Sequence, residues 1–246
     1  MSYLKKAFNL LTRSNKVGTR NEATRRHWVE AKLTGLPAGL RILDAGAGEQ
    51  QYRKFCMHLN YVSQDFAQYD GVGDNVGLQM GKWDNSNLDI VGDITDIPEP
   101  DASFDVILCT EVFEHLPDPV LAIREFSRLL KSGGQLLITA PFCSLTHFAP
   151  YHYSTGFNRY FYEKHFADNG LKTLSIEPNG NYFEYVAQEV RRIEDVATQY
   201  SGKQRPNLLQ RIAIWTVLGM LNKMSQTDRG SSELLHFGCH VHALKI

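Results

Sequence analysis

The 246-residue chain has no uninterrupted run of about 18 apolar residues, so no helix is expected to cross a bilayer. It is poor in cysteine. Cys56, Cys109, Cys143 and Cys239 lie far apart and form no C-x-x-C pair, which argues against both a disulfide framework and a zinc ribbon. A reducing cytoplasm is the expected compartment. The chain also lacks a charge surplus, with 26 Lys and Arg against 27 Asp and Glu. Proteins that hold nucleic acid through its phosphates usually carry a basic excess, so no nucleic-acid partner is expected. There is no repeat and no low-complexity tract. Hydrophobic residues at 43% and charged residues at 22% give the balance of a folded globular chain. Residues 1–11 are amphipathic but have neither a long apolar core nor a small-residue cleavage site, so no secretory signal is expected.

What is present is an alternation. Residues 21–33 suit a helix that Leu36-Pro37-Ala38-Gly39 stops. From residue 40, short β-rich runs at 40–45, 61–66, 88–92, 104–110 and 135–140 alternate with turn residues and helical spacing. The runs at 104–109 and 136–138 are almost wholly apolar, as in strands covered on both faces of a parallel sheet. Residues 119–130 place apolar side chains at 120, 121, 123, 126, 129 and 130, which makes one helical face. Lys131-Ser132-Gly133-Gly134 is the expected stop of that helix. The progression predicts an open α/β sheet. Residues 171–177 and 238–246 predict two more strands, and 181–225 two helices separated by Ser201-Gly202 and Pro206. A single domain over 1–246 is expected: a helical segment 1–39, a core 40–180, a helical insertion 181–230 and a last strand 231–246.

The densest chemistry lies at the ends of the strands. In Leu43-Asp44-Ala45-Gly46-Ala47-Gly48-Glu49-Gln50, a strand enters a glycine-rich turn, where backbone can approach a ligand closely. A dinucleotide fingerprint needs a third glycine at position 51, which is Gln51 here. Asp44 would also repel a pyrophosphate, but it suits a ligand bearing ammonium and sulfonium groups. Asp65 ends the next strand, where an acid can accept from a ribose diol; as an alternative it is a turn residue closing the strand. Asp93-Ile94 can take an adenine amino group and cover its ring face. Cys109-Thr110-Glu111 ends the most apolar strand. All four elements fall on the carboxyl-end rim of the sheet, where open α/β sheets bind ligands.

This ordered set, with LDAGAG, Asp65, GDITDIP, SFDVILCTEVFEHLPDP and LLKSGGQLLITAPF, resembles the class I S-adenosylmethionine-dependent methyltransferases, and most of all their small-molecule branch common in biosynthetic gene clusters. The motifs span residues 40–142. The resemblance implies a Rossmann-like, mostly parallel seven-stranded sheet with an antiparallel last strand and a helical insertion before it. It implies S-adenosyl-L-methionine as cofactor. Asp44, Ala45, Gly46 and Gly48 would shape the methionine pocket, Asp65 would hold the ribose with Phe66 beside the adenine, Asp93 and Ile94 would take the adenine edge and face, and Thr110 and Glu111 would line the site near the transferred methyl. Gln50 departs from the family's D-x-G-x-G-x-G pattern. The Asn/Asp-Pro-Pro-Tyr motif of nucleic-acid amino-methyltransferases is replaced by Thr110-Glu111-Val112-Phe113.

A hydroxyl acceptor needs a base, and histidine is the natural one near neutral pH. His115, His147 and His152 are the candidates, each with a structural imidazole as the alternative. The expected acceptor is a small molecule or glycan precursor. No metal is expected, because no zinc-type spacing appears. In the aromatic cluster of 142–166, Phe157, Tyr160, Phe161 and His165 recur at helical spacing and are expected in the core, leaving 147–153 as the acceptor loop. A peripheral membrane contact through 206–224 and a homodimer stay open, with a buried helix as the plainer reading. A catalytically silent binding protein and a nicotinamide-dependent oxidoreductase are the competing functions; Asp44 and Gln51 oppose the second.

Overall fold

The computed structural model describes residues 16–202 and 205–246; the amphipathic 1–11 segment lies outside them. The described chain divides into two compact units, Arg25–Glu177 with Gly238–Ile246, and residues 16–24 with the described part of Pro178–Phe237.

The first unit holds the glycine-rich turn and the histidines. Its strands are β1 (Arg41–Ala45), β2 (Asn60–Asp65), β3 (Ile90–Val91), β4 (Phe104–Thr110) and β5 (Leu130–Pro141), followed by β6 (Leu171–Asn179) and β7 (Gly238–Lys245). The sheet order is β3-β2-β1-β4-β5-β7-β6. Strands β1 to β5 pair in parallel, and β7 runs antiparallel to β5, with Ile138 opposite Val241. This is the Rossmann-like sheet that the resemblance implies. In the middle of the sheet, Val106, Ile107, Leu108, Leu136 and Ile138 are fully buried, as continuous apolar runs require.

Helix α1 (Asn21–Thr34) ends before the Gly35–Gly39 break, and its Trp28, Val29 and Leu33 are buried. Helix α2 (Pro119–Leu129) starts on Asp118, whose carboxylate accepts from Val120 N (3.0 Å) and Leu121 N (3.3 Å), with proline in the first turn. Ala122, Ile123, Phe126 and Leu129 bury its inner face completely. Each of the large side chains contributes about 1.5–3 kcal/mol by leaving water.

The expected glycine stop at Lys131-Ser132-Gly133-Gly134 is instead part of β5. Leu130 already pairs with Phe104 and Gln135 with Val106, so these four residues bulge out of the ladder between them. Lys131 Nζ donates to Asp105 Oδ1 at 2.7 Å across the bulge. A Cβ on Gly134 would lie 2.8 Å from Lys131 O and 3.1 Å from Asp105 O. The glycine is there for close backbone approach, not for ending a helix. Helix α3 (Arg159–Asp168) likewise differs from expectation: Tyr162 and Phe166 are its fully buried residues, while Tyr160 is 59% exposed.

The second unit contains α4 (Tyr182–Tyr200) and α5 (Leu208–Gln226), separated where Ser201-Gly202 and Pro206 interrupt. Asn181 and Asn207 cap their N-termini through side-chain oxygens. Ala187, Leu218, Leu221 and Val17 form its small core. Among the described residues no helix is long and apolar enough to cross a membrane.

Candidate active site

A cavity of about 300 Å³ lies at the carboxyl-end rim of the sheet. Gly46 follows β1, Gln64 and Phe66 sit at the end of β2, Asp93 and Ile94 follow β3, and Val112 and His115 follow β4. Tyr151 and Tyr153 reach it from the segment after β5. The Tyr151 ring meets Phe66 edge-on at 5.0 Å.

The turn after β1 is fastened to β2. Gly46 N and Ala47 N both donate to Gln64 O at 2.8 Å. Gly46 has φ +76°, and a Cβ there would come within 2.3 Å of Val112 Cγ2, so only glycine lets the two walls meet. Gly48 N donates to Asp65 Oδ2 at 3.0 Å, and Ala67 N to Asp65 Oδ1 at 2.9 Å. Asp65 thus ties the turn to its own strand end. Burial pushes its carboxyl up, and these backbone donors pull it back. Gln50, at the position of the third glycine in the pattern, lies in the left-handed region with φ +57°.

Asp44 is buried at the end of β1 and accepts from the Tyr61 hydroxyl at 2.6 Å. Burial raises its carboxyl to about 7; the Tyr61 bond opposes this and nearby Asp65 adds to it. Asp93 Oδ1 accepts from Thr95 N and Thr95 Oγ1, both at 2.8 Å. Glu111 sits in the left-handed region at φ +54°, donates its N–H to Thr139 O at 2.7 Å and pairs with Arg25 Nη1 at 2.7 Å.

The expected residues therefore divide. Gly46, Phe66, Asp93, Ile94 and His115 line the cavity. Asp44, Ala45, Gly48, Asp65, Thr110 and Glu111 form the strand ends and turns around it without lining it. Gln64, Val112 and Leu116 line it without having been singled out in the sequence, where nothing distinguishes them from their strand and turn neighbours. Tyr151 and Tyr153 lie in the segment read as the acceptor loop.

The three histidines come together. Ring centroids are 4.7 Å apart for His115 and His147, 4.9 Å for His147 and His152, and 6.0 Å for His115 and His152. His115 is carried on the short 3-10 turn Phe113–His115, and the other two on the loop after β5. Tyr153 N and Ser154 N donate to Glu114 O at 2.9 and 3.2 Å, which anchors that loop to the turn. His115 Nδ1 lies 2.5 Å from Tyr151 O and His147 Nδ1 2.8 Å from Leu145 O. A carbonyl only accepts, so each Nδ1 carries the proton and donates it.

Between these rings lies Glu114, fully buried, with neither carboxylate oxygen accepting a hydrogen bond. Its Oε1 is 3.7 Å from His115 Nε2 and 3.6 Å from His147 Nε2. Burial raises the Glu114 carboxyl, against the pull of His147. Burial and the neighbouring His147 push His115 down to about 3. Burial also opposes the charge on His147, but the Glu114 carboxylate and the Leu145 carbonyl outweigh it and raise that imidazole. His152, with Nε2 3.2 Å from Ser144 Oγ, is lowered by burial and by His147.

Comparison with known proteins agrees with this architecture. Residues 43–138 match the family described as a methyltransferase domain. The ubiquinone biosynthesis O-methyltransferase of Xanthomonas axonopodis pv. citri (strain 306) is 33% identical over 118 residues, covering 47% of this chain and 48% of that one. The chain thus spans about half the length of the curated relatives it matches. Among solved structures, the candidate sarcosine dimethylglycine methyltransferase of Galdieria sulphuraria superposes with a TM-score of 0.53 at 16% identity, covering 91% of this chain and 86% of that one. The [4+2]-cyclase SpnF superposes with a TM-score of 0.52 at 17% identity, covering 90% and 80%. Residues 43–138 therefore carry a methyltransferase domain, set in the Rossmann-like fold of the methyltransferase structures that the chain resembles.

The residues present fit S-adenosylmethionine. Gly46 sets the turn directly against Val112, so bare backbone forms that side of the cavity. Phe66 and Ile94 offer apolar faces to a purine, with the Asp93 carboxylate beside them.

Proposed function

We propose that this chain transfers a methyl group to a hydroxyl of a small molecule, with a sugar or glycan precursor of a biosynthetic cluster as the acceptor class. The observation that carries the reading is His115, which both lines the cofactor-sized cavity and belongs to the histidine cluster. When bound, S-adenosylmethionine supplies a methyl group already activated on a sulfonium. The protein's remaining tasks are to align the acceptor oxygen and to take its proton. The Nδ1 bonds leave Nε2 of His115 and His147 as the proton-accepting positions. Of the two, His147 is the stronger base, because the buried Glu114 carboxylate stabilises its charged form. Tyr151 and Tyr153 present rings that suit stacking on a sugar. The second reading is a binding protein that holds the cofactor without turnover, since folds of this shape also serve other chemistry.

The test incubates the chain with methyl-labelled S-adenosylmethionine and fractionated metabolite extracts, followed by mass spectrometry. Label appearing on an oxygen of one metabolite is the expected outcome. Tight cofactor binding by calorimetry with no labelled product in any fraction would favour the binding protein. Label on a nitrogen would retain the enzyme and overturn the acceptor class.

A further inference from the structure

We propose that Glu114, His115 and His147 form a site for one divalent transition-metal ion of the zinc class. The three side chains define this site by what they present to one another, whether or not the chain transfers methyl groups.

Both imidazoles are locked by backbone carbonyls, Tyr151 O on His115 Nδ1 and Leu145 O on His147 Nδ1. Each ring therefore turns an Nε2 lone pair inward. Both lone pairs face the same Glu114 Oε1, at 3.7 and 3.6 Å. That carboxylate is fully buried and accepts no hydrogen bond at either oxygen. Three electron-pair donors thus converge with no donated proton between them. Buried groups of this kind need a partner of opposite charge.

Protons alone meet the need only in part. A proton on His147 Nε2 would pair that ring with Glu114, but the His115 lone pair would still face the carboxylate. Moving the His115 proton to Nε2 would set its Nδ1 lone pair against Tyr151 O at 2.5 Å. One cation satisfies all three donors at once.

The geometry is close to what such an ion requires. Ligands at about 2.1 Å in a tetrahedron lie about 3.4 Å from one another. The two nitrogen–oxygen separations here are 3.6 and 3.7 Å, and all three donor atoms lie within 4.8 Å of one another. Closure by a few tenths of an ångström along two of the edges completes that part of the shell. A second imidazole nitrogen held by a backbone carbonyl is also the usual support of a metal-bound histidine. Two imidazoles and one carboxylate suit zinc and its neighbours; magnesium prefers an all-oxygen shell. The same set leaves the fourth position open, as in catalytic zinc sites. His152 lies 4.9 Å from His147 between ring centroids, and the cavity reaches the site at His115. With the ion bound, Nε2 of His115 and His147 is no longer a proton acceptor; an acceptor hydroxyl entering there would instead be bound by the ion and made more acidic. The spacing of donors along the sequence gives no hint of this, because the ligands come from two separate segments.

The experiment strips the full chain with a chelator and titrates it with cobalt(II) and, in competition with a coloured chelator, with zinc(II). One equivalent per chain is expected, with the visible bands of four-coordinate cobalt. Glu114→Gln and His147→Ala are each expected to weaken zinc binding by about 100-fold or more, whereas removing an outer partner costs 10–100-fold. Circular dichroism and S-adenosylmethionine calorimetry on the same variants report that fold and cofactor end are intact. Binding of metal without any methylated product would sustain this site while removing the methyl-transfer reading. Substoichiometric binding by the unaltered chain, or equal zinc affinity in the unaltered chain and Glu114→Gln, would overturn it. So would an imidazolium NMR signal from His147 that persists in the presence of excess zinc.

Discussion

The two ends of the cavity are built on opposite plans. At the glycine end every carboxylate has partners: Asp65 takes two backbone N–H groups, Asp93 takes the N–H and hydroxyl of Thr95, and Asp44 takes the Tyr61 hydroxyl. At the histidine end Glu114 is buried more deeply than Asp65, and its carboxylate accepts no hydrogen bond. The satisfied end is a rigid frame, assembled from strand ends whose order the sheet dictates. The unsatisfied end holds electron pairs in reserve for something that arrives. Binding and chemistry should therefore be separable by mutation.

The largest effect is expected at the histidine end. His115→Ala and His147→Ala should each lower turnover by roughly 10²–10⁴-fold while the S-adenosylmethionine Kd changes by less than about threefold. Single-turnover kinetics alongside calorimetry checks this. A parallel collapse of cofactor affinity would show that the two ends are one unit and dissolve the comparison.

Asp44 tests the frame through pH. Burial favours its uncharged form, so the folded protein keeps a proton that the unfolded chain has released, from near the ordinary aspartate value up to about 7. The folded state binds more protons in that window, and stability falls as pH rises through it, then levels. Asp44→Asn is uncharged throughout and lacks this slope. In cofactor-free protein its stability relative to the unaltered chain should grow from pH 4 to pH 7, by up to about 4 kcal/mol. Urea denaturation at stepped pH measures the difference; a constant difference would show that Asp44 is ionised in the fold.

The contrast between the ends also explains how much could be read from the sequence. The sheet was legible because β4 and β5 carry nearly unbroken apolar runs, and the glycine end because its motif is contiguous. Lys131-Ser132-Gly133-Gly134 misled as a helix stop, since its role depends on Asp105 and Phe104, which are distant in the chain. The inner face of α3 was misplaced because Tyr162 and Phe166, not Tyr160 and His165, meet the core. The histidine cluster was visible only as three separate candidates. Glu114, at its centre, stood in a charged-looking stretch, and local pattern does not reveal that a carboxylate is fully enclosed.

A smaller effect is expected at Asp65. Asp65→Ala releases the amides of Gly48 and Ala67 and removes the acid expected to hold the ribose. S-adenosylmethionine binding should weaken by about 1–3 kcal/mol, the cost of hydrogen bonds lost to a charged acceptor. Unchanged affinity in calorimetry would confine Asp65 to fastening the turn.

The smallest effect concerns Gln50, where the turn departs from the third glycine of the D-x-G-x-G-x-G pattern. Its backbone sits at φ +57°, a conformation that costs a non-glycine residue roughly 1–2 kcal/mol. The side chain returns part of that cost. Gln50 Nε2 donates to Asn87 O at 2.6 Å, and Arg53 Nη1 donates to Gln50 Oε1 at 2.9 Å. Both bonds are exposed, so each contributes less than a buried one. Gln50→Gly relieves the strain and loses the two bonds, while glycine also raises the entropy of the unfolded chain. The net change in stability should lie within about 1 kcal/mol of zero. Cofactor affinity is the sharper readout. If Gln50 serves only to pin the turn to Asn87, Gln50→Gly should leave the Kd within about threefold, because Gly46 and Gly48 keep their own bonds to β2. A tenfold loss would instead make the Gln50–Asn87 bond part of the frame that holds the cofactor, and extend the rigid end of the cavity to the segment before β3.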